Sequence, residues 1–352
     1  MKMNKWYFRI LFLATTLFIT SCNNTNEPEL PKGDYENGIL ISGEGSSAGT
    51  GSVSFISNDL TSEENLIYKK VNNLELGIYL QSIAFDDDNA FIVVDNQNTI
   101  TQVDRYTFEK IGEISTGLET PRYMAVVGNK GYVTNWGNTS PFVAVIDLTT
   151  GLVEETITIS SGPERIVYGN GKLFVSHKGG WGSNNVISVI DPTSKNVTEI
   201  TVKDKPDEMF FNNSQQLVVL SEGAVQYDAN WNVTGNTIGS IITINTSTNT
   251  IVNELDFAEG DHPSLMVINN STIYYALNGK VYSINESATS LASTSLLESQ
   301  GYLYGLEVKD NNIYMIDASF TDVSTLNVYN ATTKAVISSK SVALGASKIY
   351  FN

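Results

Sequence analysis

From Gly38 onward the chain is a succession of short apolar runs separated by polar segments rich in Gly, Asn and Asp. Runs such as Lys172-Leu-Phe-Val-Ser176 and Val186-Ile-Ser-Val-Ile-Asp191 are β-branched and aromatic, too short for helices, and bounded by turn residues, so they predict strands. They recur in a fixed order. Pro121-Arg-Tyr-Met124, Pro163-Glu-Arg-Ile166, Pro206-Asp-Glu-Met209 and Pro263-Ser-Leu-Met266 each place an apolar residue three positions after a Pro. One strand, a variable loop and a second strand ending in Asp or Asn then follow. Leu80-Gln-Ser-Ile83, Leu303-Tyr-Gly-Leu306 and Ala346-Ser-Lys-Ile349 are copies without the Pro. The apolar anchors are spaced by 41, 42, 43, 57, 40 and 43 residues. Four short strands in a repeat of about 40 to 50 residues mark a propeller blade. Seven anchors therefore predict an all-β, seven-bladed β-propeller over residues 37–352. The last copy is followed by one strand only, and Gly38-Ile-Leu-Ile-Ser42 reads as a second strand that lacks a first. The two end strands are expected to complete one blade together, which closes the ring without an unpaired edge. A stacked solenoid, the alternative, would need capping repeats.

The first 36 residues break the pattern. Lys2, Lys5 and Arg9 precede an apolar run from Ile10 to Ile19, which reads as an export signal, too short and wrongly flanked to span a membrane. Ile19-Thr20-Ser21-Cys22 resembles a bacterial lipobox. Residues 1–21 are then removed, and Cys22, the only Cys, carries the lipid. Residues 22–36, polar and holding two Pro, read as a tether.

Composition narrows the function. The formal charge is −17, from 21 Lys and Arg against 38 Asp and Glu, and a surface that acidic repels phosphate backbones, so no nucleic-acid partner is expected. With two His and one Cys there is almost nothing to build a Cys/His metal centre, and no cofactor is expected. There is no Gly-x-Ser-x-Gly elbow, and neither His is spaced with a Ser and an Asp in a recognisable triad, so the chain reads as a binder and not an enzyme.

The third blade carries Gly131-Tyr-Val-Thr-Asn135, the tetrapeptide of the YVTN family of bacterial β-propellers. The fourth, from Gly171-Lys-Leu-Phe-Val-Ser176 through Val186–Asp191 to Pro206-Asp-Glu-Met209, is similar to that family's repeat. The chain resembles this family from Gly38 to Asn352. More narrowly, it resembles Bacteroidetes surface lipoproteins built on such a propeller, among them cobalamin-capturing lipoproteins that cap a TonB-dependent transporter. The resemblance implies a lipid anchor in the outer membrane, a position facing the cell exterior, a small-molecule ligand with a corrinoid as leading candidate, and a TonB-dependent transporter as partner. It assigns no site residue.

Loop length points to a site. The loops between second and third strands span 43–51 in blade one, 135–142 in blade three, 176–185 in blade four and, longest, 221–240 in blade five. In a propeller these loops emerge on the same face as the connections between blades, so they crowd one mouth of the central channel. Every Trp after the signal lies on them: Trp136, Trp181 and Trp231. Aromatics on polar, Gly-rich loops suit a binding surface, although any one of them could instead tuck beneath its own loop. Phe142, Tyr227, His177 and Lys178 share these loops and complete the expected ligand-binding set with Arg122, Tyr123 and Arg165. The two Arg follow Pro at the repeat position nearest the mouth, where they either clamp an anionic ligand or pair with Glu164, Asp207 or Glu208. Three functions are open: a ligand-capturing lipoprotein first, a scaffold of an outer-membrane complex second, and a propeller enzyme such as a lactonase or lyase third.

Overall fold

The apolar runs are strands whose two faces pack into different cores. Within 90–94, Ala90, Ile92 and Val94 face blade one while Phe91 and Val93 face blade three. Period-two alternation sends successive side chains to opposite faces, so a strand buried on both sides reads as an unbroken apolar run. The computed structural model describes residues 31–352 and arranges them as seven four-stranded antiparallel sheets. Seven apolar clusters fill the seven interfaces between neighbouring blades. The innermost strands, which wall the channel, are Leu80–Asp86, Pro121–Val127, Pro163–Gly169, Pro206–Phe211, Leu265–Asn269, Tyr302–Lys309 and Ala346–Phe351.

The ring closes as the sequence predicts. Ala346–Phe351 pairs antiparallel with Gly38–Gly43, Ile349 opposite Ile41, and Ser52–Ser57 and Glu63–Glu64 complete blade one. The folded body also takes in residues assigned to the tether. Tyr35 is buried between the edges of Phe55 and Phe108, at ring distances of 5.4 and 5.6 Å. The export signal, Cys22 and the rest of the tether up to residue 30 lie outside the described residues.

Two local devices repeat around the ring. The Asp or Asn that ends the third strands accepts hydrogen bonds from backbone N–H groups two and three residues on: Asp147 from Thr149 and Thr150, both 3.0 Å, and Asp191 from Thr193 and Ser194 at 2.8 and 2.9 Å. These are Asx turns. The second device matters more for function. In every blade but the sixth the innermost strand carries a bulge near its start, as between Pro121 and Met124, Pro163 and Ile166, and Pro206 and Met209. A bulge sets two residues against one and re-aims a side chain. The two residues after Pro121, Pro163 and Pro206 are therefore the ones turned toward the channel.

Blade five holds an insertion. Val225–Tyr227 and Val233–Asn236 form a separate two-stranded hairpin between its second and third strands, which accounts for the 57-residue spacing.

Candidate functional site

The bulge positions of blades three to five supply Arg122 and Tyr123, Glu164 and Arg165, and Asp207 and Glu208. Their charges are matched to one another. Arg122 donates to Glu164 through Nε and Nη2, the latter at 2.8 Å, and also to Asp95 on the neighbouring blade. Arg165 donates to Asp207 at 3.0 Å and to Glu208, and Lys178 bridges Asp207 at 2.8 Å and Glu222 at 2.7 Å. Burial pushes Asp207 upward, but Lys178 and Arg165 outweigh it and hold the carboxyl below its usual range. Burial raises Glu208 to about 7 against the pull of Arg165. Of the two roles open to the arginines, the structure shows ion pairing: both guanidiniums are committed, so neither is a free clamp for an anionic ligand.

That network supports an aromatic shelf. The Arg122 guanidinium lies 4.2 Å from the centre of the Trp136 ring, and the indole N–H donates to the Pro163 carbonyl at 3.0 Å. Trp181 stands edge-on to Trp136 at 5.8 Å with 98% of its surface exposed. The loop that carries it rests against the connection from blade three, where Gly179 N–H donates to the Gly162 carbonyl at 3.1 Å. A Cβ on Gly162 would lie 2.1 Å from the Gly179 carbonyl carbon, so only Gly lets the two backbones meet. Trp136 and Trp181 overlook a cavity of about 790 Å³ that also takes in Tyr79, Gln81, Asn96 and Tyr304. A second of about 670 Å³, sharing Glu44, Gln81, Arg122, Trp136 and Tyr304, leads down the channel past Tyr123, Arg165 and Lys178.

Residues 37–210 match the family described as a domain of unknown function (DUF5074). No curated protein matches the chain. Among solved structures, the dihydro-heme d1 dehydrogenase NirN in complex with DHE is 12% identical, with 92% of this chain and 77% of that one covered at a TM-score of 0.59. A protein assigned as a 6-phosphogluconolactonase from Bacteroides fragilis is 12% identical over 91% of this chain and 98% of that one, with a TM-score of 0.64. Apo AztD from Citrobacter koseri is 13% identical over 89% and 96%, with a TM-score of 0.54. Likeness at these identities is one of fold. It overturns one expectation: NirN is a dehydrogenase by name and the second protein is assigned as a lactonase, so the absence of a catalytic motif gives no ground for excluding an enzyme.

The remaining site residues divide. His177 is fully buried at the end of its strand, Nδ1 at 3.2 Å from the Ser161 carbonyl and Nε2 at 2.8 Å from Ser188 Oγ. A carbonyl only accepts, so Nδ1 carries the proton and Nε2 accepts from the serine; burial lowers the imidazole's pKa and keeps it neutral. It lines neither cavity. Phe142 packs into the core between blades two and three. Tyr227 and Trp231 form their own exposed pair at 5.9 Å on the blade-five hairpin, and neither lines the mouth. Among the described residues no three His, Cys, Asp or Glu gather as a metal centre.

The sequence reading missed the opposite wall. Tyr304 donates to Glu44 at 3.0 Å and packs against Tyr302 and Phe320, at 5.3 and 5.6 Å. Lys348 and Glu307 sit deeper in the channel. Tyr304 and Lys348 hold the first and the second of the two positions that follow the Pro in other blades, but in copies that lack the Pro.

Proposed function

We propose that the protein is an exported, lipid-anchored ligand-binding propeller that captures a nutrient at the channel mouth for a TonB-dependent transporter. The reading rests on Trp181, an almost fully exposed indole held edge-on to a second Trp over a cavity of about 790 Å³. Exposing an indole forfeits the burial that usually houses it. An aromatic ledge above a cavity within the usual ligand-pocket range of about 300 to 1,000 Å³ recovers that burial when a large planar or amphipathic molecule covers it. A corrinoid fits this description and is the leading candidate through the resemblance to cobalamin-capturing lipoproteins.

Calorimetry of the mature protein with cyanocobalamin, a haem and a panel of small glycans tests the reading. Cyanocobalamin is expected to bind with a micromolar or tighter Kd and without chemical change. Binding of a glycan alone would replace the corrinoid, and no binding by any of them would sink ligand capture at the mouth. For the anchor, Cys22→Ala should release the protein from the membrane fraction, and a variant that still fractionates with membranes would refute the lipid at Cys22.

A further inference from the structure

Below the mouth the channel narrows at a waist formed by Tyr123, Arg165, Glu208, Leu265 and Lys348, which wall both the mouth and a lower chamber of about 270 Å³. That volume lies under the range of about 300 to 1,000 Å³ usual for drug-sized ligands. The chamber is too small for a corrinoid and right for a much smaller molecule.

Half of the residues that line it are polar, and several of these are already matched. Arg165 and Glu208 hold each other. The Lys348 ammonium, inside the channel, makes no hydrogen bond or ion pair among the described residues; burial opposes its charge, but Tyr123, Tyr304, whose ring face lies at 5.8 Å, and Glu44 outweigh that and hold its pKa above the usual range. The Tyr123 backbone is hydrogen-bonded to Thr134, while its hydroxyl has no partner among the described residues. Glu307 accepts a single bond, from the Val308 N–H at 3.0 Å, and burial raises its carboxyl to about 7. Below these groups the wall turns apolar, with Met124, Phe210 and Leu306. Half-buried and without a full set of partners, Lys348, Tyr123 and Glu307 keep hydrogen-bonding capacity for something that enters the chamber. Two donors at the waist, an acid beside them and an apolar floor together describe a ligand with an anionic group, a donor group and a short hydrocarbon chain.

We propose that the chamber is a second binding site, taking a small α-amino acid with an apolar side chain. Its carboxylate sits on Tyr123 Oη and Lys348 Nζ, its ammonium on Glu307, and its side chain on the apolar floor. The site shares no Trp with the mouth, so it stands or falls independently of corrinoid capture.

Calorimetry with L-leucine, 4-methylpentanoate, which lacks the amine, and leucinamide, which lacks the carboxylate, tests the assignment on the intact mature protein. Leucine should bind at least about tenfold more tightly than either analogue, the size expected for one lost charge-assisted hydrogen bond. Tyr123→Phe, which removes one oxygen and leaves the ring in place, should weaken leucine about tenfold. Lys348→Met should abolish the preference for leucine over leucinamide, and Trp181→Ala should leave leucine affinity unchanged. Absent leucine binding, equal affinity for the three probes, or a Tyr123→Phe variant that binds like the parent would each overturn the proposal.

Discussion

The two sides of the channel wall use the same pair of repeat positions to opposite ends. In blades three to five the residues after the Pro form a matched network, in which Arg122 is shared by Asp95 and Glu164, and Arg165 by Asp207 and Glu208. Across the channel, in blades six, seven and one, the same two positions include Ser264, Tyr304 and Lys348, with Glu307 nearby; Tyr304 donates to Glu44, while Lys348 and Glu307 make no ion pair among the described residues. Matched charges in a buried wall hold geometry, and here they hold the Trp136 shelf. Unmatched ones leave hydrogen-bonding capacity for something that enters. The contrast separates the part of the channel that is scaffold from the part that is available to a ligand.

Substitutions on the two sides should therefore differ in size. Arg122→Met strands Glu164, which is almost fully buried, and Asp95, so it should cost about 3–5 kcal/mol and lower the melting temperature by several degrees. A cost under about 1 kcal/mol would show that the network is not the scaffold described here. Glu307 offers a titration on the other side. Its folded pKa of about 7 exceeds the ordinary 4.5, so the folded state binds more protons between those values. Its contribution to stability is present below about pH 4.5 and is lost as pH rises toward and through 7. Glu307→Gln should gain on the parent in melting temperature between pH 5 and pH 8, and a constant difference across that range would remove the unmatched carboxyl from the account. The smallest effect is expected at Lys348. Lys348→Met removes a cation that leaves no hydrogen-bonded carboxylate behind, and should change stability by less than about 1 kcal/mol.

Much of the fold was legible in the sequence because each blade repeats the same physical solution. The Pro and the apolar anchor three residues on mark an inner strand, and the terminal Asp or Asn ends a third strand; the structure adds a bulge to the first and an Asx turn to the second. The pairing of Arg122 with Glu164 and of Arg165 with Asp207 and Glu208 followed from the same register. What was not legible depends on where a loop lands. Trp181 and Trp231 both lie on polar loops, yet one loop docks on Gly162 and reaches the mouth, while the other grows its own hairpin and carries Trp231 away. His177 looked like a loop residue and is the last buried position of a strand. Tyr304 and Lys348 escaped notice because their repeats lack the Pro that makes the bulge visible, and Glu307 because it lies three residues further along the strand.

The most direct test of capture at the mouth is a paired titration of Trp181→Ala and Trp231→Ala with cyanocobalamin, both indoles being exposed, at 98% and 80%. Loss of a central aromatic anchor commonly costs about 2 kcal/mol or more, roughly thirtyfold in affinity. The account predicts that loss for Trp181→Ala, parental affinity for Trp231→Ala, and near-parental melting temperatures for both. Equal loss in the two variants, or none in Trp181→Ala, would contradict it.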